Sequence, residues 1–195
     1  MKRILILLFL TLSLNGLAAD PANQAPTPAA PLNTVCPITG KPADPKITFV
    51  YEGTTYAFAD DESRKKFETD RANSIYQQLG GKAAIDAAVE LFYTKVLADD
   101  RVNHYFKDVN MTRQKNKQKE FLSMALGAPT KYTGADLRTA HREVKGLNDT
   151  HFNAIGEHLQ ATLVELKVDK ALIARVMAIV ESTRADLLNR PKPST

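Results

Sequence analysis

The chain has 195 residues, 44% of them hydrophobic and 25% charged, with a formal net charge of +4. That is ordinary globular composition with room for one domain or two small ones, and the positive balance is too slight to argue for nucleic acid or an anionic membrane as partner. A single cysteine excludes an internal disulfide, so packing or a cofactor must stabilise the fold.

Lys2 and Arg3 precede an apolar run over residues 4–14, and Gly16-Leu17-Ala18-Ala19 supplies small residues for cleavage. This order predicts a secretory signal over residues 1–19 and an exported chain, periplasmic in a Gram-negative cell. The run is shorter than the roughly 20 apolar residues of a spanning helix, so no stable membrane insertion is expected after cleavage. Residues 20–33 carry Pro21, Pro26, Pro28 and Pro31 among alanines and read as an extended linker.

Residues 34–71 form a small module. Cys36-Pro37-Ile38-Thr39-Gly40-Lys41-Pro42 is a turn-rich knuckle. Residues 47–51 predict a strand, Glu52-Gly53 a turn and residues 54–58 the returning strand. Asp60 or Asp61 can cap a helix running through Arg64, Lys65, Phe67 and Glu68. The Cys-Pro-x-x-Gly-Lys opening at Cys36, Tyr51-x-Gly53, Tyr56-x-Phe58 and Lys66-Phe67 resemble the YHS family, small modules often associated with metal handling. Many of those relatives have further cysteines after the second strand, where this chain has Ala59, Asp60 and Ser63. Cys36 is therefore a candidate metal ligand that lacks companions, and a packing or docking module is the alternative.

From Ser74 onward the pattern is helical. Residues 74–79 predict a short helix stopped by Gly80-Gly81. Ile85, Val89, Phe92 and Val96 then make a 3.6-residue stripe with Tyr93 at its edge. Asp99-Asp100-Arg101 opens a tight connection that Tyr105-Phe106 closes, delivering a large ring to the interior. The next helix, over residues 111–126, aligns Met111, Gln114, Gln118, Phe121 and Ala125 on one face. Two amides thus interrupt an apolar stripe: either that end is wet, or the amides have partners, because burying them alone is costly.

Gly134 and Asp136 open a short helix in which Leu137 and His141 share a face, and Lys145-Gly146 close it. His141 is either a hydrogen-bonded core histidine or a metal ligand, with haem iron one candidate. Phe152, Ile155, Leu159, Leu163 and Leu166 make the stripe of a long helix; Leu172, Ile173, Val176, Ile179, Val180 and Leu187 make that of a second. Together they can wall a pocket. His158 reads as structural, and His104 and His151 as solvated.

Ile75-Tyr76-x-x-Leu79-Gly80-Gly81, Phe92-Tyr93-x-x-Val96-Leu97-x-Asp99-Asp100, Tyr105-Phe106, Gln118-x-x-Phe121, Lys131-Tyr132-x-Gly134 and Ala140-His141 resemble the group I truncated haemoglobins. Ala128 departs from them, standing where many relatives have the second glycine of a pair. The resemblance implies a mainly α, two-over-two globin over residues 74–190, after the β-hairpin and helix module and before a disordered tail, 191–195. It implies haem (protohaem IX) as cofactor and His141 as the proximal ligand of a five-coordinate iron. Phe106, Phe121, Leu137 and Phe152 would line the cofactor, and Lys117 would reach a propionate or the iron. Tyr93, Gln114 and Gln118 would face dioxygen, nitric oxide or another diatomic ligand.

The function so implied is capture of dioxygen or nitric oxide. The alternatives are a haem enzyme, a nitric oxide dioxygenase or peroxidase-like, or redox and metal handling through the first module. No flavin or nicotinamide motif accompanies these residues, so turnover would need an external electron donor.

Overall fold

The computed structural model describes residues 29–191. The expected signal segment, most of the linker and residues 192–195 of the tail lie outside the described residues.

The first module is built on a two-residue hairpin. β1 (Asp44–Tyr51) and β2 (Thr54–Phe58) pair antiparallel, Tyr51 opposite Thr54 and Thr48 opposite Ala57. Glu52 and Gly53 at the turn have φ of 47° and 76°. Positive φ at both central residues suits a turn whose twist matches that of the strands. α1 (Asp61–Ala72) starts at a reciprocal cap: the Asp60 carboxylate accepts from Ser63 N at 2.7 Å, and Ser63 Oγ accepts from Asp60 N at 3.3 Å. Phe67 on α1 closes onto the hairpin, its ring centroid 5.1–6.3 Å from those of Phe49, Tyr51, Tyr56 and Phe58. The end of the expected linker is not a free tether. Leu32 N donates to Thr55 O at 2.9 Å, and the Asn33 amide bonds both the N–H and the carbonyl of Ala57.

The helical part runs α2 (Ile75–Leu79), α3 (Gly81–Leu97), a 3-10 turn (Asn103–Phe106), α4 (Met111–Ala125), α5 (Leu137–His141), α6 (Asp149–Glu165), α7 (Lys170–Ser182) and α8 (Arg184–Leu187). Gly80 separates α2 from α3 at φ 107°, a left-handed conformation that glycine adopts without a steric penalty. α3 packs against α4 and α6, and α6 against α7. Ile85, Val89, Phe92 and Val96 of α3 are buried with Leu159 and Leu163 of α6 and Ile173 and Val176 of α7. Each such side chain contributes about 1.5–3 kcal/mol relative to exposure. Tyr93, expected at the stripe's edge, is inside the core at 2% exposure. Leu166 lies beyond the end of α6 and is exposed, and a break at Thr183 puts Leu187 on α8 rather than on α7. His158 is structural: its Nε2 lies 2.6 Å from Asp99 Oδ2. Arg101, aided by His158, holds the Asp99 carboxyl well below the usual carboxylate range.

The hairpin is seated on α2. Tyr51 packs against both hydrophobic clusters, and its hydroxyl donates to Gln77 Oε1 at 3.1 Å. The Tyr76 hydroxyl meets both carboxylate oxygens of Glu52, at 3.0 and 2.9 Å. The approach is close at Gly81, where a Cβ would stand 2.9 Å from Glu52 Oε1. Tyr76→Phe deletes the donor that faces the Glu52 carboxylate. It should lower stability by about 1–2 kcal/mol in a urea titration of the full chain. An unchanged midpoint would show that the seam contributes nothing.

Candidate functional site

A cavity of about 540 Å³ opens among α3, α4, α5, α6 and α7, a volume suited to enclosing a small molecule or cofactor. Its wall is mainly apolar, with Phe106, Phe121, Leu137 and Phe152 among the lining residues. The mixed face of α4 is explained by it. Met111, Gln114, Gln118, Phe121 and Ala125 are each half-buried, whereas Leu122 beside them reaches the core. Gln114, Gln118, Phe121 and Ala125 border this open space, whereas Met111 packs against the core.

His141 enters this cavity from α5. Asp136 caps that helix, its carboxylate accepting from Thr139 N at 3.0 Å, and the helix closes at His141, before Lys145-Gly146. His141 Nδ1 lies 2.8 Å from the Leu137 carbonyl. A carbonyl can only accept, so Nδ1 carries a proton, and in the neutral imidazole Nε2 then keeps its lone pair. The two readings left open by the sequence converge here: His141 has a hydrogen-bond partner, and that partner leaves the other nitrogen ready to bind a metal.

Tyr93 and Gln114 also meet at this cavity. Gln114 Nε2 donates to the Tyr93 hydroxyl at 3.0 Å. The phenol oxygen is thereby an acceptor from Gln114, and its own proton is left for another partner. Burial pushes the Tyr93 phenol above its ordinary value, against a smaller lowering effect of Gln114, so it remains a donor at neutral pH. Gln118 lines the same wall and makes no side-chain hydrogen bond among the described residues. Lys117 borders the cavity, its Nζ on Glu120 Oε2 at 3.0 Å and Thr133 Oγ1 at 2.6 Å.

One cavity residue departs from the expectation of the sequence. His151, expected in solvent, caps α6 by accepting from Asn148 N at 3.2 Å, and it lines the cavity beside Tyr105. Its signal was the Asn148 cap three residues before it. His104 is exposed and stacks on Tyr105 with ring centroids 4.1 Å apart. Cys36 is apart from the cavity, buried in the hairpin module. Burial alone raises its thiol, but hydrogen-bonding groups of Ser63, Thr39 and Ala59 outweigh that and bring it down to about 6. Among the described residues no cluster of three or more His, Cys, Asp or Glu could hold a metal ion. A smaller apolar cavity of about 160 Å³ shares Ala88, Leu122, Leu126, Leu159 and Val176 with the first.

Residues 74–189 match the family model of the bacterial-like globins. The group 1 truncated haemoglobin of Tetrahymena thermophila is 48% identical over 117 residues, which is 60% of this chain and 96% of that protein. The 2/2 haemoglobin from Synechococcus, solved in the cyanomet state with covalently attached haem, is 49% identical. It covers 60% of this chain and 99% of its own, with a TM-score of 0.58. The truncated haemoglobin of Tetrahymena pyriformis is 47% identical over 59% of this chain and 97% of its own, with a TM-score of 0.57. Solved variants of that protein replace one tyrosine and, singly, two glutamines, with the sequence spacing of Tyr93, Gln114 and Gln118.

The residues present fit haem. The cavity offers broad apolar walls, one imidazole with an available nitrogen, and Arg113 and Lys117 as cations for carboxylates. His141→Ala removes the available nitrogen while leaving the walls intact. The purified variant should lose haem affinity at least tenfold or lose the axial-nitrogen signature of its spectrum, whereas His158→Ala should keep both. An unaltered spectrum in His141→Ala would overturn the assignment.

Proposed function

The chain belongs to the bacterial-like globin family, as a group 1 truncated haemoglobin over residues 74–189, and on that premise we propose that it captures dioxygen or nitric oxide in the large cavity. When bound, haem supplies the iron at which a diatomic gas is held. His141 would hold the haem through Nε2, with Phe106, Phe121, Leu137 and Phe152 against its apolar surface. Lys117 would meet a propionate.

One observation carries the reading: Gln114 donates to the Tyr93 hydroxyl and leaves the phenol proton free for a partner in the cavity. Bound dioxygen bears partial negative charge, so a phenol and an amide placed there retain it selectively. Gln118 adds a second amide on the same wall. The adjoining apolar cavity offers room to a gas with little affinity for water.

Export belongs to the same proposal and rests on Lys2, Arg3, the apolar run after them and the small residues that end at Ala19. The intact mass of protein recovered from outside the cytoplasm should correspond to a start near Ala19 or Asp20. A full-length mass in the membrane fraction would refute it.

A hydrogen bond of this charge-assisted kind contributes about 1.5–3 kcal/mol, and 1.4 kcal/mol is tenfold in an equilibrium constant. Tyr93→Phe should therefore speed dioxygen release by roughly tenfold or more, measured by stopped flow. Carbon monoxide release should change little, because bound carbon monoxide carries less charge. Gln118→Ala should act in the same direction but less strongly. Equal effects on both gases would mean that Tyr93 acts by shape alone.

A further inference from the structure

We infer that Arg138 and Asp186 are positioning residues for His141, a clasp through which the C-terminal arm fixes the imidazole that holds the haem. The inference rests on the reading of His141 as the haem ligand. α5 has five residues, none of them buried in the core, and a helix of that length does not hold itself. Arg138 ties it down at two points. Its Nε lies 2.6 Å from Asp186 Oδ1 on α8, and its Nη2 donates to the Arg190 carbonyl at 2.6 Å.

The arm that supplies both acceptors is itself anchored on the cavity wall. Arg184 Nη1 reaches Asp149 Oδ1 at 2.9 Å, and Arg190 reaches the same carboxylate at 2.6 and 3.1 Å. The Arg184 guanidinium also lies 4.1 Å over the ring of Phe152, which lines the cavity. From there the path to the imidazole is short. Asp186 holds Arg138; Arg138 is bonded in sequence to Leu137; and the Leu137 carbonyl accepts the His141 Nδ1 proton. Release of Arg138 would let that carbonyl, and with it the imidazole plane, move.

The test uses the full chain loaded with haem and two readouts, the rate of haem transfer to an excess of an apo-globin acceptor and the iron–histidine stretching band in the ferrous Raman spectrum. Asp186→Asn should speed transfer roughly fivefold, a modest factor because both side chains are partly exposed. It should also shift or broaden the band. Asp186→Glu, which keeps the charge, should restore both toward the parent values. Arg138→Lys, a milder change should Asp186→Asn fail to fold, keeps the charge but not the two-point hold, and should broaden the band. Lys82→Gln breaks an exposed ion pair with Asp86 elsewhere and should move neither readout. Lost thermal stability with an unmoved band and unchanged transfer would overturn the clasp. If His141→Ala keeps the parent band, the ligand assignment fails instead, whatever Asp186 does.

Discussion

Through the 2.8 Å hydrogen bond from His141 Nδ1 to the Leu137 carbonyl, backbone geometry decides which ring nitrogen is left available to a metal. The bond needs the four-residue spacing of a helix, so α5 must form, and α5 forms because Asp136 caps it. It selects one tautomer of a residue that otherwise has two, and only that tautomer presents Nε2 as a ligand. The rest of the globin part can be understood as support for this arrangement. α6 and α7 supply a buried wall, α4 turns a half-polar face to the cavity, and α8 reaches across to α5. On the proposed reading of His141 as the haem ligand, the tie from Arg138 to α8 bears on where that ligand points.

A second constraint is set by the hairpin module. Its own core is small, with Cys36, Phe58 and Phe67 fully buried. Tyr51 belongs to that cluster and to the large one as well, so the two hydrophobic cores are contiguous through a single ring. The Glu52 carboxylate, held out by a left-handed turn residue, meets a tyrosine that is otherwise part of the globin interior. The family match covers residues 74–189, so this seam joins the matched part to the residues before it.

Much of this was legible in the sequence, and the failures have physical causes. Strand and helix positions followed from period and capping: β2 and α4 fall where their patterns put them, and α5 starts where the Asp136 cap put it. The amides of α4 were legible as an anomaly but not as a partnership, because Gln114 finds Tyr93 across 21 residues and no local pattern encodes that. His151 read as solvated because a cap and a cavity wall can be one residue. The linker's end read as free because Leu32 and Asn33 bond a strand more than twenty residues away. The clasp was illegible for the same reason, since Arg138 and Asp186 are 48 residues apart. Local rules place elements; pairings between elements need the fold.

The neutral polar groups that α3 and α4 present to the cavity are a phenol and two carboxamides. Amides do not titrate, and burial has moved the phenol further from neutrality, so none of them changes charge between about pH 5 and 8. A pocket with an imidazole in their place would trade a neutral hydrogen-bond partner for a cation over that interval. These three groups have no such proton to gain. On the proposed reading, the hydrogen bonds these three groups offer a gas are therefore indifferent to acidity across that interval.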